Sequence, residues 1–222
     1  MKLGILFSGG KDSSYAVYIA KKNDYKISCL ITLVSENPES FMFHTPSIEM
    51  VKKQARVMNL PIVIVKTKGR KERELKDLKK AILIAIKKFK IEGIISGAVE
   101  SVYQSARIQR ICNKLKIECF NPLWQKNQFE LLKDLIKNKF EVIITGVFAE
   151  GFDKNWLGRK IDNNFVKDIK RLNEMYGISI SGEGGEYESF VINCHLFKRK
   201  LKIVSYKDFG KGNSWRRELI VR

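Results

Sequence analysis

The first half of the chain alternates short apolar runs with longer segments whose apolar residues recur every three or four positions. The apolar runs, rich in Ile, Leu and Val, predict strands at 2–7, 27–34, 61–66, 93–96 and 118–120. The periodic segments between them predict helices at 12–22, 48–58, 72–90 and 104–116. Alternating strands and helices are typical of a parallel sheet covered by crossover helices. The pattern therefore predicts an α/β sandwich.

This alternation ends near residue 123, after which short strands dominate. Helices are predicted at 130–139 and 165–176. Strands are predicted at 141–148, 178–181, 190–193, 200–205 and 217–221. We therefore predict two domains, an α/β domain over 1–123 and a smaller α+β domain over 124–222.

Composition limits the class of protein. Of the 222 residues, 44% are apolar, which is enough for a buried core. No apolar run approaches the ~20 residues that span a bilayer, and the first residues lack a signal-peptide pattern. The four cysteines form no Cys-x-x-Cys pair, and two histidines are present, which argues against a structural zinc site. We expect a soluble cytoplasmic protein with no membrane partner.

The net charge of +18 suggests a polyanionic partner, such as a nucleic acid, a nucleotide or an acidic protein. Lysines outnumber arginines 31 to 11, whereas specific recognition of phosphates and bases favours arginine. A solvated lysine-rich surface therefore explains the charge better than nucleic-acid binding does. Contact with RNA or the ribosome is expected only as an incidental property.

A glycine-rich segment joins the first predicted strand to the first predicted helix. Two adjacent glycines allow a tight turn that exposes backbone N–H groups, and the helix start adds the positive end of its dipole. Two serine hydroxyls and a lysine add further donors, so this segment is suited to hold a polyphosphate. Its members are Ser8, Gly9, Gly10, Lys11, Asp12 and Ser13. It is not a Walker A loop, which needs Gly in place of Ile5 and Ser or Thr in place of Asp12.

The segment resembles the pyrophosphate loop (PP-loop) of the ATP pyrophosphatase superfamily, whose fold is Rossmann-like and adenine-nucleotide α-hydrolase-like (HUP). The resemblance implies that the domain over 1–123 binds ATP and that the domain over 124–222 binds the substrate. It implies that the loop holds the β- and γ-phosphates of ATP, with Asp12 helping to hold Mg²⁺. It also implies that Thr32, at the end of the second strand, and Gly97, after the fourth, flank the adenosine. His44, in the loop after the second strand, is expected near the nucleotide.

A second segment, residues 181–190, gathers three glutamates and three glycines in a strongly basic chain. It resembles the Gly-Glu-Gly-Gly-Glu-Tyr-Glu-Thr-Phe signature of the diphthine–ammonia ligase (diphthamide synthetase) family, with Ser189 in place of Thr. A solvated turn is the alternative. Further matching segments follow in the same order over nearly the whole chain. They are Phe43-His44-Thr45-Pro46, Gly97-Ala98, Tyr103-Gln104 with Arg107, Pro122-Leu123-Trp124 and Trp156-Leu157-Gly158-Arg159.

This resemblance implies an enzyme that adenylates the carboxylate of diphthine, a modified histidine of translation elongation factor 2, with ATP. Ammonia then displaces AMP and gives diphthamide. The implied catalytic residues are Lys11, Glu183, Glu186 and Arg159. The implied substrate-binding residues are Tyr103, Gln104, Arg107, Trp124, Gly184, Gly185, Tyr187 and Glu188. The glutamates are suited to bind either the trimethylammonium group of diphthine or an ammonium ion, and both roles stay open.

Two other functions are compatible with parts of the sequence. A PP-loop ATPase that adenylates a tRNA base fits the positive charge, but the cysteine pairs of iron–sulfur tRNA thiolases are absent and the acidic segment is unexplained. A non-catalytic nucleotide-binding module fits the α/β pattern, but such modules usually lose the phosphate loop. The ligase interpretation accounts for both segments.

Overall fold

The computed structural model describes residues 1–35, 48–68 and 71–222, and for residues 48 and 71–73 it describes the backbone alone. The chain forms two compact units, Met1–Trp124 and Gln125–Arg222. The predicted division between residues 123 and 124 lies one position earlier. Within the described ranges, no helix is both long enough and apolar enough to cross a membrane.

The first unit alternates strands and helices along its described length. Its elements are β1 (Lys2–Leu6), α1 (Lys11–Lys22), β2 (Lys26–Ser35), α2 (Ile48–Met58), β3 (Ile62–Thr67), α3 (Lys71–Phe89), β4 (Gly93–Ile95), α4 (Val102–Leu115) and β5 (Glu118–Phe120). The five strands form one sheet in the order β3-β2-β1-β4-β5, and every neighbouring pair is parallel. The predicted α/β fold class is confirmed.

The strand order fixes where a ligand can bind. The chain moves outward from β1 through β2 to β3, then crosses over to β4 on the other side of β1. In sheets of this order, ligands bind beyond the carboxyl ends of the strands where the order reverses, here between β1 and β4. Right-handed crossovers place α1 and α2 on one face of the sheet and α3 and α4 on the other.

The face that carries α3 and α4 has a continuous apolar core. On α3, Leu78, Ala81, Ile82 and Ala85 recur at helical spacing and are fully buried. They pack with side chains of β2, β3 and α4, including the thiol of Cys112. Burial of a side chain the size of Leu or Ile stabilises the fold by ~1.5–3 kcal/mol. The core therefore fixes both helices on the sheet.

The second unit is an antiparallel sheet with two α-helices in its described residues. Its elements are α5 (Gln128–Lys137), β6 (Glu141–Val147), a 3-10 turn (Lys154–Trp156), α6 (Asn163–Tyr176), β7 (Tyr187–Asn193), β8 (Ile203–Lys211) and β9 (Ser214–Val221). The strand order is β7-β6-β9-β8, with antiparallel neighbours. This agrees with the predicted α+β class.

Two strand predictions in this unit need correction. The strand predicted at 178–181 is wrong, because the backbone turns there after Gly177, which ends α6 with φ = 67°. The strand predicted at 200–205 is half right, because residues 203–205 belong to β8, which begins at Ile203 and pairs with β9 as a hairpin, whereas residues 200–202 precede it. The apolar spacing did not show where this hairpin turns.

An ion pair links the two strands of the hairpin. The Arg217 Nε and one terminal nitrogen donate to the two carboxylate oxygens of Asp208, at 2.7 and 2.9 Å. These bonds from Arg217 hold the pKa of the Asp208 carboxyl below its ordinary value. A lowered native pKa stabilises the fold above the unfolded-chain pKa of ~3.9, and this stabilisation is lost as the pH falls through the native value.

Asp208→Asn is therefore expected to lower the free energy of unfolding near neutral pH by about 1–3 kcal/mol, because it removes charge-assisted hydrogen bonds between side chains that are only 8% and 15% exposed. The difference from the wild type should vanish at pH values well below ~4. Urea unfolding at several pH values measures this difference. Glu218→Gln, at an exposed position on the same hairpin, is the control. A difference that persists in acid would contradict the assignment to this ion pair.

Candidate active site

The phosphate loop, residues 8–13, has a backbone that only glycine adopts without strain at one position. Gly9 has φ = +85°, in the left-handed region. The side-chain amide of Gln54, which is fully buried on α2, donates to the Gly9 carbonyl at 2.9 Å. A Cβ added to Gly9 would lie 2.4 Å from the Gln54 Oε1. The conformation of the loop thus depends on a side chain 45 residues away.

Two serines bridge the loop. The hydroxyls of Ser8 and Ser13 lie 3.2 Å apart, and the Ser13 hydroxyl donates to the Gly10 carbonyl at 3.2 Å. Gly10 is the N-cap of α1 and provides no side-chain cap. The first N–H groups of a helix have no partner inside it, so those of α1 are available to an anion together with the dipole.

Lys11 and Asp12 form an ion pair at the start of α1, with 2.8 Å between the Lys11 Nζ and the Asp12 Oδ2. Lys11 is 3% exposed, which is unusual for a lysine, and the dipole at a helix N-terminus opposes its charge. A bound polyphosphate would compensate both costs. The other Asp12 oxygen is buried and has no hydrogen-bond partner in the described residues.

This unpaired oxygen fits a magnesium ligand. Mg²⁺ commonly takes one or two protein carboxylates and completes its shell with phosphate oxygens and water. The described residues hold no group of three or more His, Cys, Asp or Glu side chains suited to a metal ion. Asp12 would therefore serve with the phosphates of a nucleotide rather than within a protein-only metal site.

Two more predicted nucleotide-binding residues lie around the loop, each with a structural contact. Thr32 is buried on β2, and its hydroxyl donates to the Phe7 carbonyl at 2.7 Å, directly before the loop. A Cβ on Gly97 would lie 2.8 Å from the Ser13 nitrogen and 2.9 Å from the Asp12 carbonyl carbon. The chain after β4 thus approaches the first turn of α1 closely. His44 lies outside the described residues.

The start of α4 carries three predicted substrate-binding residues. Ser101 caps the helix by accepting from the Gln104 backbone nitrogen. The Arg107 guanidinium lies over the Tyr103 ring, 3.4 Å from its centre, and both side chains are half-buried. Because α4 follows β4, this pair lies at the same edge of the sheet as the phosphate loop. Trp124, at the end of the first unit, is half-buried.

The acidic turn, residues 178–186, is organised by one of its own carboxylates. The two oxygens of Glu186 accept backbone N–H bonds from Ser179 and Gly184, each at 2.9 Å. A Cβ on Gly184 would lie 2.7 Å from this carboxylate. Gly185 has φ = +85° and is exposed. Glu186 thus fixes the backbone on both sides of Glu183.

Gln128 on α5 holds the same turn from outside. Its Oε1 accepts from the Ser179 hydroxyl at 2.7 Å and from the Ser181 nitrogen at 3.0 Å. The Ser179 oxygen in turn accepts from the Glu183 nitrogen at 3.0 Å. Gln128, Ser179 and Gln54 were not predicted from the sequence, because an isolated amide or hydroxyl in a helix or loop belongs to no motif.

Tyr187 links the acidic turn to the segment that contains Arg159. Its hydroxyl donates to the Ile180 carbonyl at 2.8 Å, and its ring packs edge-on against Phe165 at 5.7 Å between ring centres. Phe165 packs against Trp156 at 5.6 Å, and the Arg159 guanidinium lies 4.3 Å from the centre of the Trp156 ring. The aromatic rings therefore connect two of the matching sequence segments.

The remaining charged groups have partners of their own. One terminal nitrogen of Arg159 lies 2.6 Å from the Asp168 carboxylate on α6. Glu188, on β7, lies 3.4 Å from Arg216 on β9, and the Arg216 guanidinium is 4.9 Å from the centre of the Phe148 ring. Asp168, Arg216 and Phe148 were not predicted as parts of the site.

Two family models match consecutive parts of this chain. The diphthamide synthase N-terminal domain matches residues 1–119, and the diphthamide synthase C-terminal domain matches residues 127–217. The chain belongs to the diphthamide synthase family. The family resemblance predicted from the sequence is confirmed, and with it the assignment to a ligase class of enzymes.

Curated relatives agree with this family. The chain is 31% identical to a rat protein named diphthine–ammonia ligase, over 91% of this chain and 83% of the relative. It is 31% identical to a human protein of the same name, over 92% and 84%. A solved Methanocaldococcus jannaschii protein, described as a predicted subunit of tRNA methyltransferase, is 18% identical with a TM-score of 0.46 over 88% of this chain and 98% of that chain. A similarity at this level supports no functional argument.

Gly97→Ala tests the close approach at the phosphate loop. The added methyl group must displace the first turn of α1, so ATP binding should weaken about tenfold or more. Isothermal titration with ATP measures this change. Gly93→Ala, which also crowds β4 but at its other end, is the matched control and should bind ATP normally if folded. Equal losses in both variants would indicate general destabilisation instead.

Proposed function

We propose that this protein uses ATP to amidate diphthine on translation elongation factor 2 with ammonia. The observation that carries the proposal is the first turn of α1, where backbone donors, buried Lys11 and Asp12 converge in a chain of the diphthamide synthase family. The relatives' name supports the acceptor and the nitrogen source. Because elongation factor 2 serves translation, we propose a cytoplasmic location.

In the first proposed step, a carboxylate oxygen of diphthine attacks the α-phosphorus of ATP. The bond from the α-phosphorus to the bridging oxygen breaks, and pyrophosphate leaves with that electron pair. Lys11 and the N–H groups at the start of α1 hold the β- and γ-phosphates, which lowers the energy of the charge that develops on the leaving group. Asp12 would hold Mg²⁺, which neutralises phosphate charge.

In the second proposed step, the nitrogen of ammonia attacks the carbonyl carbon of the acyl-adenylate. The carbon–oxygen bond to AMP breaks, and the nitrogen loses a proton. Only neutral ammonia is nucleophilic, so a carboxylate that accepts a proton from ammonium would assist. Glu183 is the proposed acceptor, and its backbone is held in the turn by a hydrogen bond from its nitrogen to the Ser179 hydroxyl oxygen at 3.0 Å.

The other predicted residues have supporting roles in this proposal. Arg107 and Arg159 would offset negative charge on the adenylate or pyrophosphate. Tyr103, Gln104, Trp124 and Glu188 would contact the substrate, and Gly184 and Gly185 would allow it to approach the turn. The trimethylammonium group of diphthine would favour aromatic faces and carboxylates.

The test of this function is the release of AMP and pyrophosphate from ATP, with and without ammonium and diphthine-bearing elongation factor 2. We expect AMP formation that requires the protein substrate, and diphthamide that requires ammonium as well. Lys11→Ala should abolish AMP formation and leave the protein folded. AMP formed only with tRNA would indicate a base-adenylating enzyme, and no AMP under any condition would indicate a nucleotide-binding module.

Glu186→Gln is expected to impair amidation about tenfold to a hundredfold while ATP binding is retained. Glutamine keeps one accepting oxygen, and its NH₂ group would face a backbone N–H donor, so the acidic turn would lose its geometry. Single-turnover amidation and ATP titration measure the two effects. Glu174→Gln, on an exposed part of α6, is the control. An unchanged amidation rate in Glu186→Gln would contradict a role for this turn in catalysis.

A further inference from the structure

The outer surface of α3 and α4 is basic. Its exposed cationic side chains, with two that follow the helices, are Lys76, Lys80, Lys87, Lys88, Lys90, Arg110, Lys114 and Lys116. Among the described side chains of the two helices no acidic one is exposed, because Glu74 is buried and Asp77 is half-buried, while the exposed Glu92 and Glu118 lie beyond the helix ends. We call this surface the basic face. Its charge is complementary to an acidic partner.

Two aliphatic side chains lie in the middle of the basic face. Leu83 and Ile84 are 46% and 38% exposed, on the side of α3 opposite the buried residues that pack on the sheet. At helical spacing, they lie between Lys80 on one turn and Lys87 and Lys88 on the next. An apolar centre surrounded by polar groups is typical of a protein–protein contact.

The composition of the basic face favours a protein over the other polyanions. RNA recognition relies on aromatic rings and guanidinium planes that stack on bases, whereas the exposed cations among the described side chains of the two helices are lysines apart from Arg110. A helix that lies on a membrane inserts its apolar face, but the apolar face of α3 is already buried on the sheet. An acidic protein surface that also carries apolar residues would match both the lysines and the two apolar side chains of the basic face.

The position of the basic face connects it to the candidate site. Helix α4 begins at the edge of the sheet that holds the phosphate loop, where Tyr103 and Arg107 lie. The 14 residues of α4 extend about 21 Å toward the opposite edge. A large protein that delivers one side chain to the nucleotide can also contact the flank of the domain. The cations of the basic face run from Lys76 near the start of α3 to Lys87 and Lys88 on its last turn, so this surface extends from that edge of the sheet along the helices to the opposite edge.

We propose that the basic face docks an acidic surface of the protein whose side chain is modified. This inference rests on the proposed function, because the partner is the protein substrate of that reaction. Docking through the basic face would act on the affinity for the intact protein substrate. It would leave ATP binding unchanged, because the docking side chains lie away from the phosphate loop.

The first test is Lys87→Glu with Lys88→Glu, compared with Lys21→Glu and Lys22→Glu. Both lysine pairs are exposed and occupy the last turn of a helix of the first unit, so the two charge reversals affect the helix dipole equally. They differ in position, because α1 lies on the other face of the sheet. The binding constant for diphthine-bearing elongation factor 2 is measured by titration at several salt concentrations. We expect about tenfold weaker binding and a shallower salt dependence in the first pair alone.

A second variant removes one of the two apolar side chains at the centre of the basic face without changing its charge. Leu83→Ser should also weaken binding of the protein substrate. Because Leu83 is exposed, the substitution should leave the fold intact, and thermal unfolding checks this. For both variants the KM for the protein substrate should rise while the KM for ATP stays unchanged. Unchanged binding in both variants, or an equal loss in the Lys21 and Lys22 control, would overturn the proposal.

Separate measurements of elongation factor 2 binding and of diphthamide formation distinguish failure of this inference from failure of the proposed function. Wild-type protein that binds elongation factor 2 but forms no diphthamide contradicts the proposed reaction, while the charge-reversal titrations still decide the docking surface. A parallel titration with ribosomal RNA completes the test. Loss of RNA binding in the Lys87 and Lys88 variant, with normal binding of elongation factor 2, would overturn the proposal and assign the basic face to RNA.

Discussion

The first turn of α1 is the constraint on which the candidate nucleotide site depends. An anion is bound by backbone N–H groups only if several of them point at one place, so the backbone there must be fixed from outside. Three elements do this: Gln54 of α2 binds the Gly9 carbonyl, Thr32 of β2 binds the Phe7 carbonyl, and Gly97 after β4 lies against the turn itself. The parallel strand order brings all three to one edge of the sheet.

The acidic turn holds negative charges close together, although the chain has a net charge of +18. Glu183 and Glu186 in the turn, and Glu188 just after it on β7, repel one another unless hydrogen bonds or cations compensate them. Glu186 is satisfied by two backbone N–H groups, and Glu188 lies beside Arg216. The three carboxylates therefore differ in their surroundings, and the backbone at Glu183 is fixed by Ser179 and by the bonds of Glu186 on either side of it.

Much of the fold could be predicted from the sequence, because local periodicity records which side of each element is buried. The five strands of the first unit are examples. The turn at 178–181 was mistaken for a strand because Ile178 and Ile180 alternate with serines, while the hydrogen bonds that decide the conformation come from Gln128 and Glu186. Hydrogen bonds from single polar side chains to residues far away in the sequence produce no periodic pattern, so they could not be predicted.

The orientation of the Arg159 guanidinium is fixed by the side chains around it. A guanidinium group left alone in solvent samples many orientations, and fixing it costs side-chain entropy. Here the Trp156 ring lies on one face of it and Asp168 binds one edge. Trp156 is itself fixed by Phe165, which packs on Tyr187, and the Tyr187 hydroxyl binds the backbone of the acidic turn. A substitution at either end of this series of contacts would therefore alter the packing at the other end. This gives a physical reason for the Trp156–Arg159 segment and the acidic turn to occur together in one sequence.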